Sequence, residues 1–305
     1  MQPYVVYFRR RRGTMGIPFD LALTELKVVF EPYGLKVDRQ HVPKHRVWVS
    51  MDLHPKAVPQ FANHLAYTEA ILSQRIEAYG GGTIAPIRRG RWVTGWVRQG
   101  DFQIYQEEVF VQDFAHRRKD SPDQQTYEII KNGRRIQAKG YHARRALSAL
   151  DARFLFNVAQ LGEHTKILDP FAGFGGIVRE GLRRNMKVFA TDIDATLSMG
   201  LQDLTRHAYA RANARALPFP SHTFDAVITE PPFHPRFHEA IYHALPELVR
   251  ITRTNGKLVL LIAQNMLATL QGLCGQHFLK LTPIGTLPRD HGLRCPALII
   301  ESLTP

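Results

Sequence analysis

The sequence predicts an α/β protein in two parts: a parallel sheet wound with helices over the C-terminal half, preceded by a smaller α+β domain. Three observations predict it. From about residue 140 onward, apolar strand-like runs alternate with helix-spaced segments, which implies parallel strands. Within that half, the apolar strand 166–168 ends at Asp169 and enters a turn holding Gly173, Gly175 and Gly176 before a helical segment. Ahead of it, short alternating strands and helical stretches are separated by glycine turns. The expected boundaries are 1–140 and 141–305.

In chain order, residues 4–8 form a first strand, and 20–33 has helical spacing that stops at Gly34. Residues 47–51 are a strand. Residues 55–79 read as mostly helical, stopped by Gly80, Gly81 and Gly82. Residues 91–97 and 103–111 alternate like antiparallel strands around a turn at Gly100 and Asp101. Residues 112–124 are polar and read as a linker. No internal repeat or low-complexity tract interrupts this order.

The C-terminal half carries the chemistry. Asp169 lies at the carboxyl end of its strand, where open α/β sheets bind ligands. Gly173 and Gly175 let the backbone turn sharply and approach a ligand. A second strand, 187–191, ends at Asp192, with Asp194 two residues on. An acid about 20 residues past a glycine loop is where a ribose diol is held, because a carboxylate accepts both hydroxyl protons. Asp192 is expected to be that ligand and Asp194 a helix cap. A third strand edge is expected at 212–217, where Asn213 either meets an adenine edge with its donor and acceptor or is a plain turn residue.

The fourth strand ends in Thr229-Glu230-Pro231-Pro232-Phe233. Prolines after a strand fix the backbone and remove amide donors, leaving carbonyl oxygens to face a ligand. An exocyclic base amine is a poor nucleophile because its lone pair is delocalised into the ring. Acceptors from Glu230 and the Pro231 carbonyl can hold both amino hydrogens and aim the lone pair at an electrophile. Phe233 can stack on the extruded base. Residues 257–263 and 297–302 read as the last two strands.

The motifs 169–175, 191–194 and 231–233 together resemble the catalytic domain of the THUMP-associated tRNA guanine-N2 methyltransferases, over about residues 140–305. The helical stretch 143–161 is similar to the helix preceding the cofactor loop in that family. The resemblance implies a Rossmann-like class I methyltransferase seven-stranded sheet whose last strand runs antiparallel as a hairpin partner. It implies S-adenosylmethionine as cofactor, held by Asp169, Phe171, Gly173, Gly175, Asp192 and Asn213. It also implies Glu230, Pro231, Pro232 and Phe233 as the catalytic motif, and the guanosine at tRNA position 10 as the target. Glu230 departs from the family's usual Asp or Asn: it keeps the acceptor but is one methylene longer. The order of elements over residues 1–140 is that of an α+β domain compatible with a THUMP-like or ferredoxin-like RNA-binding unit.

Composition agrees with an intracellular nucleic-acid enzyme. The chain has 305 residues and a net charge of +13. Residues 1–150 hold 24 Lys and Arg against 14 Asp and Glu; residues 151–305 hold 16 against 13. The basic excess therefore lies outside the catalytic half, as expected of a domain that grips a phosphate backbone. Arg88, Arg89 and Arg91 with Trp92 and Trp96, and Arg117 and Arg118, are the leading RNA-contact candidates, beside clusters at 9–12, 134–135 and 144–145. No run is long and apolar enough to span a membrane, and no secretory pattern follows Met1. Cys274 and Cys295 have no metal-type spacing, which predicts a reducing cytoplasm, and no thiol neighbours the Pro-Pro-Phe motif for a covalent route. His234 and His238 are four apart, but Pro235 disrupts the turn between them and no third ligand has a recognisable spacing, so no metal is expected. The competing readings are an adenine-N6 or cytosine-N4 methyltransferase on DNA or rRNA, and a non-catalytic RNA-binding protein with a decayed methyltransferase domain.

Overall fold

The computed structural model describes residues 1–8, 11–12, 15–41, 46–54, 57–58, 61, 64–73, 109–111, 127–131, 134–138, 147–206, 208–289 and 292–303. The chain divides into two compact units, Met1–Gln124 and Gln125–Pro305.

In the first unit, β1 (Gln2–Phe8) is followed by α1 (Phe19–Phe30), then β2 (Lys36–His41), β3 (Arg46–Met51), β4 (Thr68–Ser73) and β5 (Val109–Val111). The sheet order is β2-β3-β1-β4-β5, with every described pairing antiparallel. Its first four strands have the order of a ferredoxin-like split βαβ unit. α1 buries Leu21, Ala22, Leu23, Leu26 and Phe30, and a 3-10 turn over Glu31–Tyr33 follows it and ends at Gly34, which takes a left-handed φ of 63°. Glu25 of the same helix is buried, yet satisfied: its two oxygens accept the backbone N–H of Ala66 and Tyr67 at 2.7 and 2.8 Å. That contact fastens the helix to the start of β4.

β4 overturns the helical expectation for 55–79 over Thr68–Ser73; Val58 and Phe61 are helical, and 74–79 lie outside the described residues. The Glu, Ala and Leu of β4 favour a helix locally, but Val5 and Val6 of β1 pair with Leu72 and Ile71, and tertiary pairing outweighs a propensity of a few tenths of a kcal/mol per residue. Arg88, Arg89, Arg91, Trp92, Trp96, Arg117, Arg118, Arg144 and Arg145, the strand at 91–97 and the linker at 112–124 lie outside the described residues.

The second unit begins with a hairpin of β6 (Tyr127–Lys131) and β7 (Arg134–Ala138). Then α2 (Ala149–Ala159), β8 (Lys166–Asp169), α3 (Gly176–Arg183), β9 (Lys187–Asp192), α4 (Ser198–Thr205), β10 (Tyr209–Arg211) and β11 (Phe224–Thr229) alternate. Two short helices, α5 (His238–Tyr242) and α6 (Leu245–Ile251), lead to β12 (Thr252–Leu261), α7 (Leu267–Gln276) and a closing hairpin of β13 (Leu279–Pro288) and β14 (Arg294–Ser302). The seven strands are ordered β10-β9-β8-β11-β12-β14-β13. The first five are parallel, and β14 is antiparallel to both its neighbours. This is the class I methyltransferase fold that the motifs imply.

The strands are apolar because helices cover both faces: Ile167, Leu168, Val227, Ile228, Val259, Leu260 and Leu298 are all buried. α2 and α3 are joined by a buried carboxylate. Glu180 accepts from Arg183 and Arg184 and lies 3.7 Å from Arg153, while Arg184 also donates to Asn157. Two boundaries differ from expectation. The third strand is Tyr209–Arg211, ahead of Asn213. β13 went unread in sequence because Pro283, Gly285 and Pro288 break its pattern; it is the sheet's edge strand, where proline costs no ladder bond, and its register shifts between Pro283 and Gly285.

Candidate active site

The chemistry-bearing residues come together at the carboxyl ends of β8, β9 and β11. Parallel pairing brings these ends to one edge of the sheet, and the strand order reverses at β8, the topological switch point.

Asp169 closes β8 and is buried. The Thr229 hydroxyl, at the tip of β11, donates to its Oδ1 at 2.6 Å, and the Phe171 amide does so at 3.3 Å. Burial pushes the Asp169 carboxyl up to about 7. The Thr229 and Phe171 hydrogen bonds work against that rise, and the charges of Asp192 and Glu230 add to it.

The glycine loop is held at both sides. The Ala172 amide donates to the Thr191 carbonyl at 3.0 Å, and the Gly173 amide donates to Asp192 Oδ2 at 2.8 Å. Gly173 and Gly175 have φ of 50° and 75°, which side chains disfavour. At Gly175 a Cβ would also stand 2.6 Å from Leu204 Cδ2. Phe171 is half-buried against the apolar core.

Asp192 accepts a second amide, that of Asp194, on Oδ1 at 2.9 Å. A carboxylate offers about four lone-pair positions, and the Ile193 amide is a third backbone donor to it. Burial raises its carboxyl pKa, against hydrogen bonds from the Asp194 and Gly173 amides that lower it. Asp194 is the cap: its Oδ1 accepts from the Thr196 amide at 2.9 Å. Between the two acids Ile193 is 62% exposed, an unusual cost for an isoleucine on a ligand-facing loop. Its carbonyl accepts from Arg211 Nε at 3.1 Å. Asn213 turns its Oδ1 to the Arg215 amide at 3.0 Å, so that acceptor serves the turn.

Glu230 follows β11. Its carboxylate pairs with the guanidinium of Arg289, which follows β13, and both side chains are largely withdrawn from water at 13% and 14% exposure. Arg289 Nη1 lies 3.4 Å from Asp151 Oδ2, a buried acid in the first turn of α2. The same guanidinium stands over the Phe233 ring, 5.8 Å from its centre. Phe233 packs half-buried on the core, and its carbonyl accepts from His238 Nε2 at 3.1 Å. A carbonyl only accepts, so that nitrogen carries the proton. His234 Nδ1 accepts from the Arg236 amide at 3.3 Å. Both histidines therefore serve the loop that carries Phe233, and among the described residues no group of three His, Cys, Asp or Glu is placed to hold a metal. Pro231 is buried and Pro232 exposed.

The structure brings Asp169, Phe171, Gly173, Gly175 and Asp192 to neighbouring strand tips, and Glu230 and Phe233 to the tip beside them. Sequence reasoning missed four residues. Thr229 was legible as a polar residue ending an apolar strand. Ile193 was legible as an apolar residue between two acids. Arg289 and Asp151 carried no local signal, because only the tertiary fold joins 151, 230 and 289.

These groups suit a cationic nucleoside cofactor. Asp192 retains acceptor capacity for a diol hydroxyl, Ile193 offers an apolar face beside it, and the buried Asp169 is a carboxyl group whose ionised form a cation would favour. A family model described as "Methyltransferase domain" matches residues 168–260. A Bos taurus protein named U6 snRNA (guanine-N(2))-methyltransferase THUMPD2 is 26% identical over 148 residues, covering 45% of this chain and 30% of that protein. A tRNA (guanine(10)-N2)-dimethyltransferase of Methanothermobacter thermautotrophicus is 32% identical over 88 residues, covering 27% of this chain and 26% of that protein. The chain thus spans less than a third of the length of either relative. The resemblance read from the motifs is found again in these two proteins, at low identity. Among solved structures, a SAM dependent methyltransferase from Aquifex aeolicus is similar at 14% identity and a TM-score of 0.40, over 49% of this chain and 89% of that one.

Proposed function

We propose that this chain, an S-adenosylmethionine-dependent methyltransferase by its C-terminal unit, methylates the exocyclic N2 amine of guanine in RNA, with tRNA as the favoured substrate. The observation that carries this reading is the meeting of three strand tips: Asp169 on β8, Asp192 on β9 holding the glycine loop that leaves β8, and Glu230-Pro-Pro-Phe after β11.

When bound, S-adenosylmethionine supplies an electrophilic methyl group on a sulfonium. The chain's own residues do the rest. Asp192 accepts from the ribose hydroxyls, Ile193 covers one face of the adenine, and the backbone of Gly173 and Gly175 allows close approach. Asp169 offers its carboxylate to the positive charge of the methionine end. Phe233 stacks on the extruded base. Glu230 and the Pro231 carbonyl accept the amino hydrogens, and this aims the nitrogen lone pair along the line of displacement. Burial of Cys274 and Cys295 leaves no exposed thiol for a covalent adduct among the described residues, and burial pushes the Cys274 thiol up to about 11.

Guanine is favoured over the other amino bases on chemical grounds. A carboxylate presents two acceptors side by side. Guanine presents two donors side by side, N1–H and the N2 amine. Adenine and cytosine place a ring lone pair next to the amine, which a carboxylate repels. Both relatives are named for methylation of guanine N2, which supports the same base.

The test is methyl transfer from labelled cofactor to bulk tRNA and to DNA, followed by nucleoside analysis. N2-methylguanosine from tRNA is the expected product. N6-methyladenosine or N4-methylcytidine as the only product would make the alternative enzyme reading correct, and no transfer to any nucleic acid would favour a non-catalytic binding protein.

A further inference from the structure

We infer that Arg289 is the positioning residue of the catalytic acid: it holds Glu230 in place by tying it to Asp151. The inference deepens the proposed amine methylation and rests on Glu230 being the acceptor in that reaction.

Glu230 has one more rotatable bond than the aspartate or asparagine expected at its position, so its carboxylate sweeps a larger volume. An unheld glutamate would spend part of its time aimed away from the amine. Arg289 removes that freedom. Its guanidinium pairs with Glu230 on one side and lies 3.4 Å from Asp151 on the other. Asp151 is buried in the first turn of α2, where its backbone N–H donates to the Ser148 hydroxyl at 3.1 Å, so its backbone is held at the helix start. Arg289 is itself anchored, since its amide donates to the Leu293 carbonyl at 2.8 Å and closes the β13–β14 turn.

The arrangement also addresses charge. Glu230, Asp169 and Asp151 are three carboxyls in one largely dry region, with Asp192 close by. Arg289 forms ion pairs with two of them, Asp151 and Glu230. It neutralises part of that charge, and a carboxylate offers more acceptor positions than one guanidinium contact uses. Its place over the Phe233 ring puts the same cation beside the surface on which the base would stack. One residue from the closing hairpin thus sets both the acceptor and the aromatic of the Pro-Pro-Phe loop.

The test is a double-substitution cycle in the full chain, with Arg289→Met, Arg289→Lys, Glu230→Gln and the Arg289→Met/Glu230→Gln pair. Turnover is measured as label transferred to RNA at saturating cofactor, and cofactor affinity is measured by calorimetry. Arg289→Met is expected to lose roughly 10- to 100-fold in kcat, the scale of a misaimed catalytic group, with cofactor Kd changed by less than about twofold. Arg289→Lys should recover part of the loss. In the Glu230→Gln background, Arg289→Met should cost less than about threefold, because residues that act as a unit are not additive. Equal losses in both backgrounds, or normal turnover by Arg289→Met, would overturn the assignment. The methylated base is identified in parallel: a product other than N2-methylguanosine sinks the guanine reading while the cycle still reports on Arg289. If the wild type transfers no methyl to RNA, the same cycle in thermal unfolding decides whether the two side chains are coupled; additive losses in stability would then overturn the pairing.

Discussion

The Gly173 amide donates to Asp192 Oδ2 at 2.8 Å, so the acid at the tip of β9 holds the glycine loop that leaves β8. One carboxylate therefore shapes the loop and, in the proposed function, also receives the ribose. Substituting it should disturb both.

Asp192→Ala is expected to weaken S-adenosylmethionine binding by about 1–3 kcal/mol, the usual cost of leaving hydrogen-bond partners unpaired. Asp192→Asn keeps one acceptor oxygen and should lose less. Calorimetry checks the order. Wild-type affinity in the alanine variant would remove Asp192 from the site.

Asp169 predicts how cofactor binding follows pH. Its carboxyl is raised to about 7 from 3.8, so the ligand-free protein holds a proton there that the unfolded chain has lost. A raised carboxyl stabilises the fold below the unfolded value, and that contribution is lost as pH rises toward about 7. A cationic cofactor reverses the preference by favouring the ionised form. Affinity should therefore rise between pH 5 and pH 8, with proton release on binding, and Asp169→Asn should flatten the rise. Calorimetry in buffers of different ionisation enthalpy reads the released proton; equal slopes in wild type and variant would mean that another group is responsible.

The Glu180 network predicts a stability effect remote from the site. Burial works to raise its carboxyl, but Arg183, Arg153 and Arg184 outweigh it and the net shift is downward from 4.5. A lowered carboxyl contributes stability above its unfolded value, and that contribution is lost as pH falls through the folded one. Glu180→Ala leaves guanidinium groups facing an emptied, buried position and should cost about 3–5 kcal/mol, as removal of one member of a buried ion pair does. Denaturant unfolding at pH 7 measures it, and the difference from wild type should shrink in acid.

The proposed grip on RNA is electrostatic. Binding should fall steeply with salt, because each neutralised phosphate releases counterions. Neutralising Arg88, Arg89 and Arg91 together should flatten the slope of log K against log salt by up to about 3, while cofactor affinity stays unchanged. An unaltered slope would assign the RNA contact to other residues.

The parts of the fold that were legible in sequence are those where local pattern and tertiary role agree. β8, β9 and β11 are apolar runs ending in acids, and buried parallel strands must be apolar while ligand-facing tips must not. The parts that were illegible are those where packing overrules local preference. Thr68–Ser73 carries helix-favouring residues but pairs with β1, and β13 hides behind two prolines that only an edge strand tolerates. In the site, Glu230 was legible by its motif. Arg289 was not, because its significance comes from the hairpin that carries it 59 residues along the chain to the carboxylate.

The reaction itself gives the last prediction. Glu230→Ala should lower kcat by on the order of 10²-fold or more, the usual cost of removing one positioned electrostatic group. Glu230→Gln keeps an acceptor oxygen and should retain partial activity, although its amide cannot pair with Arg289 as an ion. Cofactor binding should survive both changes, since in the proposed function Glu230 serves the base while Asp169 and Asp192 serve the cofactor. Parallel measurements of kcat and cofactor Kd separate these effects. A loss of cofactor affinity equal to the loss in rate would move Glu230 from the base side of the site to the cofactor side. Normal turnover by Glu230→Ala would instead require another acceptor for the amine, with the Pro231 carbonyl as the first alternative.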